Sequence, residues 1–304
     1  MKRQVLVCCG TGCRANGSMK VVEAMESCVQ KKQADAEIIA QVKKTGCNGL
    51  CESGPMVTIL PEGIIYYKVR PEDAEEIVEK TIMDGEPVER LLYRTKDGKR
   101  VLTQKEHPFY KEQDKMVLQQ VGKIDPESIE DYIASGGYEA LKKALSMTPD
   151  QIIQEVEISK IRGRGGAGFP TGKKWRTAAG YEQTPKYVIC NGDEGDPGAF
   201  MDGSVLEGNP HVVIEGLAIA AIAIGAEEGF FYIRDEYNLP LKHMKKAMMD
   251  AEKRGIIGDS MMGSTHSLKL SIVRGGGAFV CGESTALMAS IAGRVGEPRA
   301  KYIR

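Results

Sequence analysis

The spacing of apolar residues predicts alternating strands and helices in two stretches of the chain, separated by a polar connector. In residues 1–85 short apolar runs alternate with one helical face, on which Met19, Val22, Met25 and Val29 recur. The predicted elements there are strand Gln4–Cys8, a helix capped by Asn16-Gly17-Ser18, strand Ala36–Val42, a hairpin of Val57–Leu60 and Ile64–Val69, and helix Pro71–Ile82. This pattern indicates a small α/β domain.

Residues 86–145 contain charge-rich turns such as Lys96-Asp97-Gly98-Lys99 and predict a helical connector, with helices beginning near Asp125 and Tyr138. Residues 146–304 alternate between buried strands and helices again. The elements predicted there are helix Pro149–Ile158, strand Pro185–Cys190, helix His211–Gly225, strand Gly229–Arg234, helix Leu241–Arg254, strand Leu268–Arg274, and a helix from about Thr285 to Gly293. This alternation favours a Rossmann-like α/β domain.

Composition narrows the functional classes. The chain has 304 residues, 42% of them hydrophobic, which suits about two domains with cores of their own. A formal net charge of −1 argues against nucleic-acid binding through bulk charge. No apolar run reaches the roughly 18 residues of a membrane span, and the N-terminus lacks the layout of a signal peptide. We therefore expect a cytoplasmic protein whose eight cysteines serve metal, redox or core roles rather than disulfides.

Four cysteines fall in two glycine-containing loops of the first domain. Cys8 and Cys13 follow the first strand, and Cys47 and Cys51 follow the second. Bare backbone of this kind approaches a cluster closely and directs N–H groups at its sulfur atoms. The spacings C-x4-C and C-x3-C are wider than the two-residue spacers common in structural zinc sites. They favour a [2Fe-2S] cluster held by four thiolates, with a zinc site or unliganded core cysteines as the alternatives.

Two nearby cysteines have a different predicted role. Cys9 points to the opposite face of its strand from Cys8, so we interpret it as a bystander. Cys28 lies three residues after Met25 on the apolar side of the first long helix, where core packing is favoured over ligation.

A glycine-rich loop at residues 163–175 holds five glycines, two lysines, an arginine and the only tryptophan of the chain. Bare amides and cations suit a phosphate, and Phe169 with the tryptophan suits a flat aromatic ring. Gly163, Gly165 and Gly168 match G-x-G-x-x-G, but a helix rather than a strand is predicted before them. We therefore expect a nucleotide-like ligand outside a standard dinucleotide cradle, with a surface turn as the alternative.

Two further loops carry polar groups at the ends of predicted elements. Asn191–Gly198 is acidic and follows a buried strand, where α/β sheets place ligand-binding groups. Its carboxylates and amide suit sugar or ribityl hydroxyls; it lacks the ligand spacing of an EF-hand, and a solvated turn is the other alternative. Gly275–Thr285 is a second glycine-rich loop, with Phe279 and Glu283, at a helix N-terminus. The three loops are expected to converge on one pocket.

These motifs resemble a known family. Gly163–Trp175, Asn191–Gly198 and Gly277–Leu287 resemble the flavin-bearing, NADH-oxidising subunit of respiratory complex I and the diaphorase subunits of NAD(P)-linked [FeFe]-hydrogenases and formate dehydrogenases. The four-cysteine domain resembles the thioredoxin-like [2Fe-2S] ferredoxin domain fused to hydrogenase-type members. The resemblance covers nearly the whole chain and implies FMN, NAD(P)H and a [2Fe-2S] cluster, the last held by Cys8, Cys13, Cys47 and Cys51.

The resemblance also implies roles for individual residues. The residues implied to contact FMN or NAD(P)H are Gly163, Arg164, Gly165, Gly166, Phe169, Lys174, Asn191, Asp193, Glu194, Asp196, Phe279, Gly282, Glu283 and Ser284. The FMN phosphate would lie near the first glycine loop and Lys174, with Phe169 near the adenine and Asp196 near its ribose. Hydride transfer between nicotinamide and flavin requires no side-chain acid or base, so no catalytic residue is implied.

Some positions depart from the family pattern. Ser284 stands where a second glutamate is usual, Asp196 where glutamate is common, and Thr177 where an aromatic residue can flank the adenine. Loss of a carboxylate near the ribose relaxes discrimination against a 2′-phosphate, so NADH versus NADPH is left open, with NADH favoured. Family members continue past Lys301–Arg304 into further domains, and we expect a fragment or a shortened paralogue.

The leading hypothesis is an NAD(P)H-linked oxidoreductase subunit that passes single electrons to iron–sulfur centres. Its expected partners are other subunits, including iron–sulfur proteins, of a soluble hydrogenase, formate dehydrogenase or complex I-like assembly, and we expect neither nucleic acid nor a direct membrane span. The alternatives are an electron-relay or assembly module that holds the [2Fe-2S] cluster without a functional flavin site, and a zinc- and nucleotide-binding protein.

Overall fold

A computed structural model describes residues 2–34 and 39–300, which form two compact units. The first unit comprises the described residues up to Asp131 together with residues 207–209. The second comprises residues 132–206 and the described residues from 210 onward. The domain limits predicted after residues 85 and 145 stay predictions.

The first unit is built on a four-stranded sheet with the order β2-β1-β3-β4. Its strands are β1 (Lys2–Cys8), β2 (Ile39–Thr45), β3 (Val57–Leu60) and β4 (Ile64–Tyr66). β1 pairs in parallel with β2 and antiparallel with β3, and β3 and β4 form the predicted hairpin. The predicted helix is α2 (Ser18–Ala34), whose apolar face packs into the core through Val21, Val22, Met25 and Val29.

Strand β2 differs from its prediction in its limits. Residues 36–38 of the predicted strand Ala36–Val42 lie outside the described residues, and the strand continues to Thr45. Polar residues are accommodated at its end because Lys43 and Lys44 form ion pairs, with Asp131 and Glu127 respectively, each at 2.7 Å.

Short helical turns and a small hairpin complete this unit. They are α1 (Thr11–Ala15), the 3-10 turns Cys51–Ser53, Pro71–Asp73, Glu89–Leu91 and Gln104–Glu106, α3 (Ala74–Glu76), the π-helical turn Ile77–Met83, and the hairpin β5 (Tyr93–Arg94) and β6 (Arg100–Val101). The helix predicted over Pro71–Ile82 is therefore three successive turns of different pitch. Helix α1 was not predicted, since five residues are too few to show helical periodicity.

The second unit contains a parallel sheet with the order β7-β8-β9. Its strands are β7 (Tyr187–Gly192), β8 (Glu228–Arg234) and β9 (Lys269–Gly275). The helices that lie within this unit are α5 (Glu139–Leu145), α6 (Pro149–Ile158), α7 (Thr171–Ala179), α9 (Pro210–Ile224), α10 (Asn238–Lys253) and α11 (Ser284–Ile291), with 3-10 turns at Met261–Gly263 and Phe279–Gly282. Two further helices, α4 (Ile129–Ala134) and α8 (Met201–Gly208), include residues of both units. The alternation of strand and helix confirms the Rossmann-like α/β prediction.

Helix α6 confirms that a helix, not a strand, precedes the first glycine loop. Thr148 caps it: its hydroxyl accepts from Gln151 N at 3.3 Å, and the Gln151 side chain accepts from Thr148 N at 2.8 Å. This reciprocal pair satisfies two backbone donors at the start of the helix. The loop therefore begins at the C-terminal end of a helix, which is unlike the dinucleotide fingerprint.

Helix α9 carries a buried glutamate in an otherwise apolar run. The Glu215 carboxylate accepts from the Tyr132 hydroxyl and from the backbone N–H groups of Tyr138 and Leu141, each of the latter at 2.9 Å. These donors satisfy the buried charge and fix α5 against α9. No single helix in the described part of the chain is long and apolar enough to cross a membrane, although α8 and α9, bent by 102°, meet those criteria as a pair.

Gly172 tests the packing of α7 on α6, and Gly216 in α9 is the control. A Cβ at Gly172 would lie 2.5 Å from Glu157 Cγ and 2.8 Å from Glu157 N, so we expect Gly172→Ala to destabilise the fold by about 1–3 kcal/mol. At exposed Gly216 in α9 a Cβ meets no atom within 4 Å, so Gly216→Ala should stabilise by roughly 0.5–1 kcal/mol. Chemical unfolding of the two variants measures the difference. Equal changes in unfolding free energy would contradict this packing.

Candidate functional site

The four predicted metal-ligating cysteines lie together in the first unit. Cys8 ends β1, Cys13 lies on α1, Cys47 follows β2, and Cys51 begins a 3-10 turn. The parallel pairing of β1 with β2 places the ends of these strands side by side, with Cys8 opposite Thr45. Two loops distant in sequence therefore meet at one edge of the sheet.

The loops hold the sulfur atoms in contact with each other and with backbone amides. Cys47 Sγ lies 3.7 Å from Cys51 Sγ, and Gly49 N–H donates to Cys47 Sγ at 3.3 Å. Two thiolates on one tetrahedral metal, with metal–sulfur bonds of about 2.3 Å, are separated by about 3.8 Å. A Cβ at Gly54 would lie 2.5 Å from Cys13 Sγ, so this position requires a residue without a side chain.

The surroundings of Cys8, Cys47 and Cys51 raise the pKa of each of these thiols. Hydrogen bonding with Cys13, together with burial, raises the pKa of Cys8 to about 12, although Cys47 acts in the opposite direction. Burial and the neighbouring Cys47 raise the pKa of Cys51 to about 11. Four crowded thiolates need a positive centre to be stable, and metal binding supplies it in exchange for their protons.

The four cysteines supply the ligand set of a two-iron cluster. Cys8 interacts electrostatically with Cys13 and Cys47, and Cys47 Sγ lies 3.7 Å from Cys51 Sγ. Within the described residues, no group of three or more His, Cys, Asp or Glu side chains is arranged to hold a single metal ion. A [2Fe-2S] cluster, with two thiolates on each iron, matches this donor set.

The two cysteines interpreted as bystanders pack into a different core. Cys9 is 3% exposed and belongs to the core that β1 and α2 form together. Cys28 is half-buried and packs against the same core. Cys8 and Cys13 instead pack with Met56. This division agrees with the predicted roles.

Sequence reasoning missed one carboxylate at the first cysteine loop. The buried Glu207 side chain accepts from Thr11 N at 3.0 Å and from the Thr11 hydroxyl at 2.5 Å. It belongs to the same compact unit as the loop, although 196 positions separate the two residues in the sequence. No local pattern identifies such a partner.

In the second unit the acidic loop after β7 meets the glycine loop after β9. The Asn191 side-chain amide donates to Gly282 O at 3.0 Å, and a Cβ at Gly282 would lie 3.5 Å from Asp193 Oδ2. A Cβ at Gly195 would lie 3.0 Å from Phe279 Cδ2. Two of the three predicted loops are therefore in contact at the carboxyl edge of the sheet.

Asp193 is a carboxylate at this edge whose oxygen atoms are buried. Both of its oxygen atoms are buried, and neither has a hydrogen-bond partner among the described residues. Burial raises the pKa of this carboxyl group, and the Arg234 guanidinium acts in the opposite direction. Buried hydrogen-bond acceptors in proteins are normally paired with a donor, so we expect a bound ligand to donate to this carboxylate. Hydroxyl or N–H donors of FMN fit it.

The two glutamates of these loops are engaged as helix caps. Glu194 accepts from the backbone N–H groups of Met201, Asp202 and Gly203 at 2.6, 3.1 and 3.0 Å, at the start of α8. Glu283 accepts from Thr285 N at 2.7 Å and from the next amide at 3.1 Å, at the start of α11. A carboxylate at the start of a helix accepts hydrogen bonds from backbone N–H groups that have no acceptor within the helix, and its negative charge complements the helix dipole. The predicted contacts of these two glutamates with FMN or NAD(P)H stay predictions.

The first glycine loop is open and makes its contacts locally. Gly163 N donates to Phe169 O at 2.9 Å, and the Arg162 side chain donates to Gly168 O. A Cβ at Gly165 or Gly166 would meet no atom within 4 Å. The predicted site residues Arg164, Phe169, Lys174, Asp196, Phe279 and Ser284 are all exposed. Convergence of this loop with the other two stays a prediction.

A cavity of about 350 Å³ lies beside α7. Its lining residues are Phe169, Lys174, Thr177, Ala178, Tyr181, Lys186, Tyr187 and Ile224. Tyr187 is the first residue of β7, whereas Asp193 follows its last, so the cavity lies towards the opposite end of that strand from the acidic loop. It combines aromatic surface with two ammonium groups.

Comparison with known proteins assigns both units to families. Residues 1–82 match the thioredoxin-like [2Fe-2S] ferredoxin family, and residues 156–303 match the Nuo51 FMN-binding domain. The chain therefore combines a region that matches each of these two families. These matches confirm the resemblance, the fold class and the FMN and [2Fe-2S] assignments made from the sequence.

Individual relatives agree with this assignment. The NADP-reducing hydrogenase subunit HndC of Solidesulfovibrio fructosivorans is 52% identical over 191 residues, which are 63% of this chain and 39% of the relative. An NADH-quinone oxidoreductase subunit of Aquifex aeolicus is 47% identical over 186 residues, 61% of this chain and 43% of the relative. The crystal structure of an NAD⁺-reducing [NiFe]-hydrogenase in the H2-reduced state superposes with a TM-score of 0.50 at 25% identity, covering 98% of this chain and 47% of that one. The matched region spans about two fifths of the length of the curated relatives.

Replacement of single cysteines tests the cluster site. We expect Cys47→Ala to lower bound iron from about two per chain to near zero, because one iron would lose a thiolate. Cys28→Ala, which removes a half-buried thiol from a different core, should keep the iron content of the wild type. Iron and sulfide analysis of anaerobically purified protein measures both. Retention of full iron by Cys47→Ala would remove Cys47 from the ligand set.

Asp193 is expected to make the flavin-free protein sensitive to pH. Its folded-state pKa lies above the ordinary value of 3.8, so between these two values the folded protein binds more protons and stability falls as pH rises. Asp193→Asn should therefore be more stable than the wild type at neutral pH, by about 1 kcal/mol, and equal to it below the ordinary value. Unfolding free energies across this pH range test the sign. Exposed Asp235→Asn is the control, with an expected change of about 0.5 kcal/mol or less.

Proposed function

We propose that the chain is the flavoprotein part of an NAD(P)H-linked oxidoreductase. It exchanges hydride between nicotinamide and FMN and passes single electrons to iron–sulfur centres. The observation that carries the proposal is the buried, unpartnered Asp193 carboxylate at the carboxyl edge of the sheet, within the region that matches an FMN-binding family. Bound FMN would supply the conversion between hydride transfer and one-electron transfer.

The proposed FMN site divides into a phosphate side and a polar side. On the phosphate side, the exposed backbone of Gly163, Gly165 and Gly166 offers N–H donors, and Arg164 and Lys174 offer cations. The openness around Gly165 and Gly166, with no atom within 4 Å of a built Cβ, supports close approach of a ligand.

On the polar side, Asn191, Asp193 and Gly282 face the ligand. Asp193 accepts its hydrogen bonds, while Asn191 holds the Gly282 backbone in place through its 3.0 Å bond. Glu194 and Glu283 keep the two loops in position by capping α8 and α11.

The nucleotide is proposed to lie beyond the flavin. Phe169 is exposed and would contact the adenine. Asp196, Phe279 and Ser284 are exposed and available to the ribose and pyrophosphate. With Thr177 in place of an aromatic residue, both NADH and NADPH are candidate substrates.

The electrons are proposed to move between the bound cofactors and other subunits of a larger assembly. Relatives carry the names of hydrogenase and quinone oxidoreductase subunits, and a hydrogenase, formate dehydrogenase or complex I-like complex is the proposed setting. Its iron–sulfur proteins are the proposed exchange partners. Eight cysteines without a disulfide, four of which are the proposed iron ligands, favour the reducing cytoplasm.

The test combines cofactor content with nucleotide-driven reduction. The full chain, purified anaerobically and supplied with FMN, is expected to bind one flavin in addition to its cluster. NADH or NADPH should then bleach the flavin band and reduce an artificial dye. Asp193→Asn should weaken FMN binding by about 10-fold or more, since it removes a charged acceptor, whereas Asp235→Asn should not.

Two results would contradict the proposal in different ways. A visible spectrum with cluster absorption alone, after incubation with FMN, would favour an electron-relay or assembly module. A flavin-loaded chain that neither nucleotide reduces would bind FMN without the proposed oxidoreductase activity.

A further inference from the structure

Arg234 occupies a position that no sequence motif singled out. It is the last residue of β8, the middle strand of the parallel sheet, so its neighbours on either side are the loops that follow β7 and β9. Its partner in the register of β9 is Gly275. Its side chain is only 14% exposed, although it carries a permanent charge.

Each of the two flanking loops has a glycine next to the guanidinium group. A Cβ at Gly195 in the acidic loop would lie 3.0 Å from Arg234 Nη1. A Cβ at Gly277 in the glycine loop would lie 3.6 Å from Arg234 Nη2. Gly277 also has φ = +82°, which disfavours any other residue there. The backbone of the two loops is therefore shaped to this side chain.

One nitrogen of the guanidinium group has a hydrogen-bond acceptor, and another has none among the described residues. Arg234 Nε donates to Glu236, whereas Nη1 is buried and has no hydrogen-bond partner among the described residues. The nearby Asp193 has two buried oxygens in the same condition. One edge of the sheet thus carries an orphan donor and an orphan acceptor, and their charges attract each other.

We propose that Arg234 binds the uncharged part of FMN, donating from Nη1 while Asp193 accepts, and that it holds the acidic and glycine loops in place around this part. The inference rests on the proposed FMN site. Orphan groups of opposite hydrogen-bonding character suit a ligand surface that presents both donors and acceptors, as ribityl hydroxyls and the flavin ring do.

The phosphate of FMN is excluded from this position by charge. A phosphate dianion beside the buried Asp193 carboxylate would place like charges together in a poorly solvated site, which is costly. The open first glycine loop, with Arg164 and Lys174, offers the phosphate a site without a carboxylate. Arg234 therefore recognises a part of the cofactor that riboflavin shares with FMN.

Three variants separate the binding role from general effects of charge. Arg234→Gln removes the charge and the guanidinium fork, and Arg234→Lys keeps the charge without the fork. Arg274→Gln is the matched control: Arg274 lies on the adjacent strand, opposite Ile233, but is 54% exposed and pairs with Asp235 at 2.5 Å. Dissociation constants of FMN and of riboflavin are measured by flavin fluorescence for each full-length variant, with circular dichroism as a check on folding.

Arg234→Gln is expected to weaken FMN and riboflavin by the same factor, about 10- to 100-fold. Arg234→Lys should weaken both by a smaller factor, and Arg274→Gln by less than about 2-fold.

A loss of affinity confined to FMN would show that Arg234 binds the phosphate and would overturn the inference. Wild-type affinity in Arg234→Lys and Arg234→Gln alike would overturn it too. If Arg234→Gln fails to fold, the ratio of the two losses in Arg234→Lys decides between the same outcomes. Absence of FMN binding by the wild type would instead contradict the proposed function itself.

Discussion

Parallel pairing of β7, β8 and β9 is the constraint on which the candidate flavin site depends. Because the three strands run in the same direction, their carboxyl ends lie at one edge, and the loops that follow them must meet there. The middle strand ends in Arg234, and the acidic and glycine loops come from the strands on either side. Polar groups far apart in the sequence are thereby concentrated where the sheet's own hydrogen bonds end.

Helix N-termini then decide which of the carboxylates at that edge remain available. Glu194 and Glu283 are each bound by at least two backbone amides at the start of a helix, so their charges are satisfied within the protein. Asp193 has no such helix to cap, and its oxygens are buried without donors among the described residues. Of these three acidic residues, two therefore cap helices in the folded chain and the third has no donor among the described residues.

The cysteine site depends on parallel pairing in the four-stranded sheet of the first unit. β1 and β2 are parallel neighbours, and the ends of these two strands deliver Cys8 and Cys47 to one place. Glycine at position 54 leaves room for the Cys13 sulfur, and the Gly49 amide donates to Cys47. The aromatic side chains of Tyr67, Tyr93, His107 and Tyr110 pack against one another in the same unit, and burial lowers the pKa of His107, which favours its neutral form.

The sequence by itself determined the order of strands and helices, the two glycine loops, the acidic loop and the set of four cysteines. Apolar periodicity, turn residues and thiol spacing are local properties, so they can be read without knowing the fold. Only the tertiary structure decided that Glu194 and Glu283 are caps, that α8 begins where Glu194 caps it, and that Glu207 bonds to Thr11. It also decided that Arg234 is buried between two loops while Arg274, on the neighbouring strand, is exposed. These outcomes depend on contacts between residues far apart in the chain, and no local pattern encodes which buried polar group finds a partner.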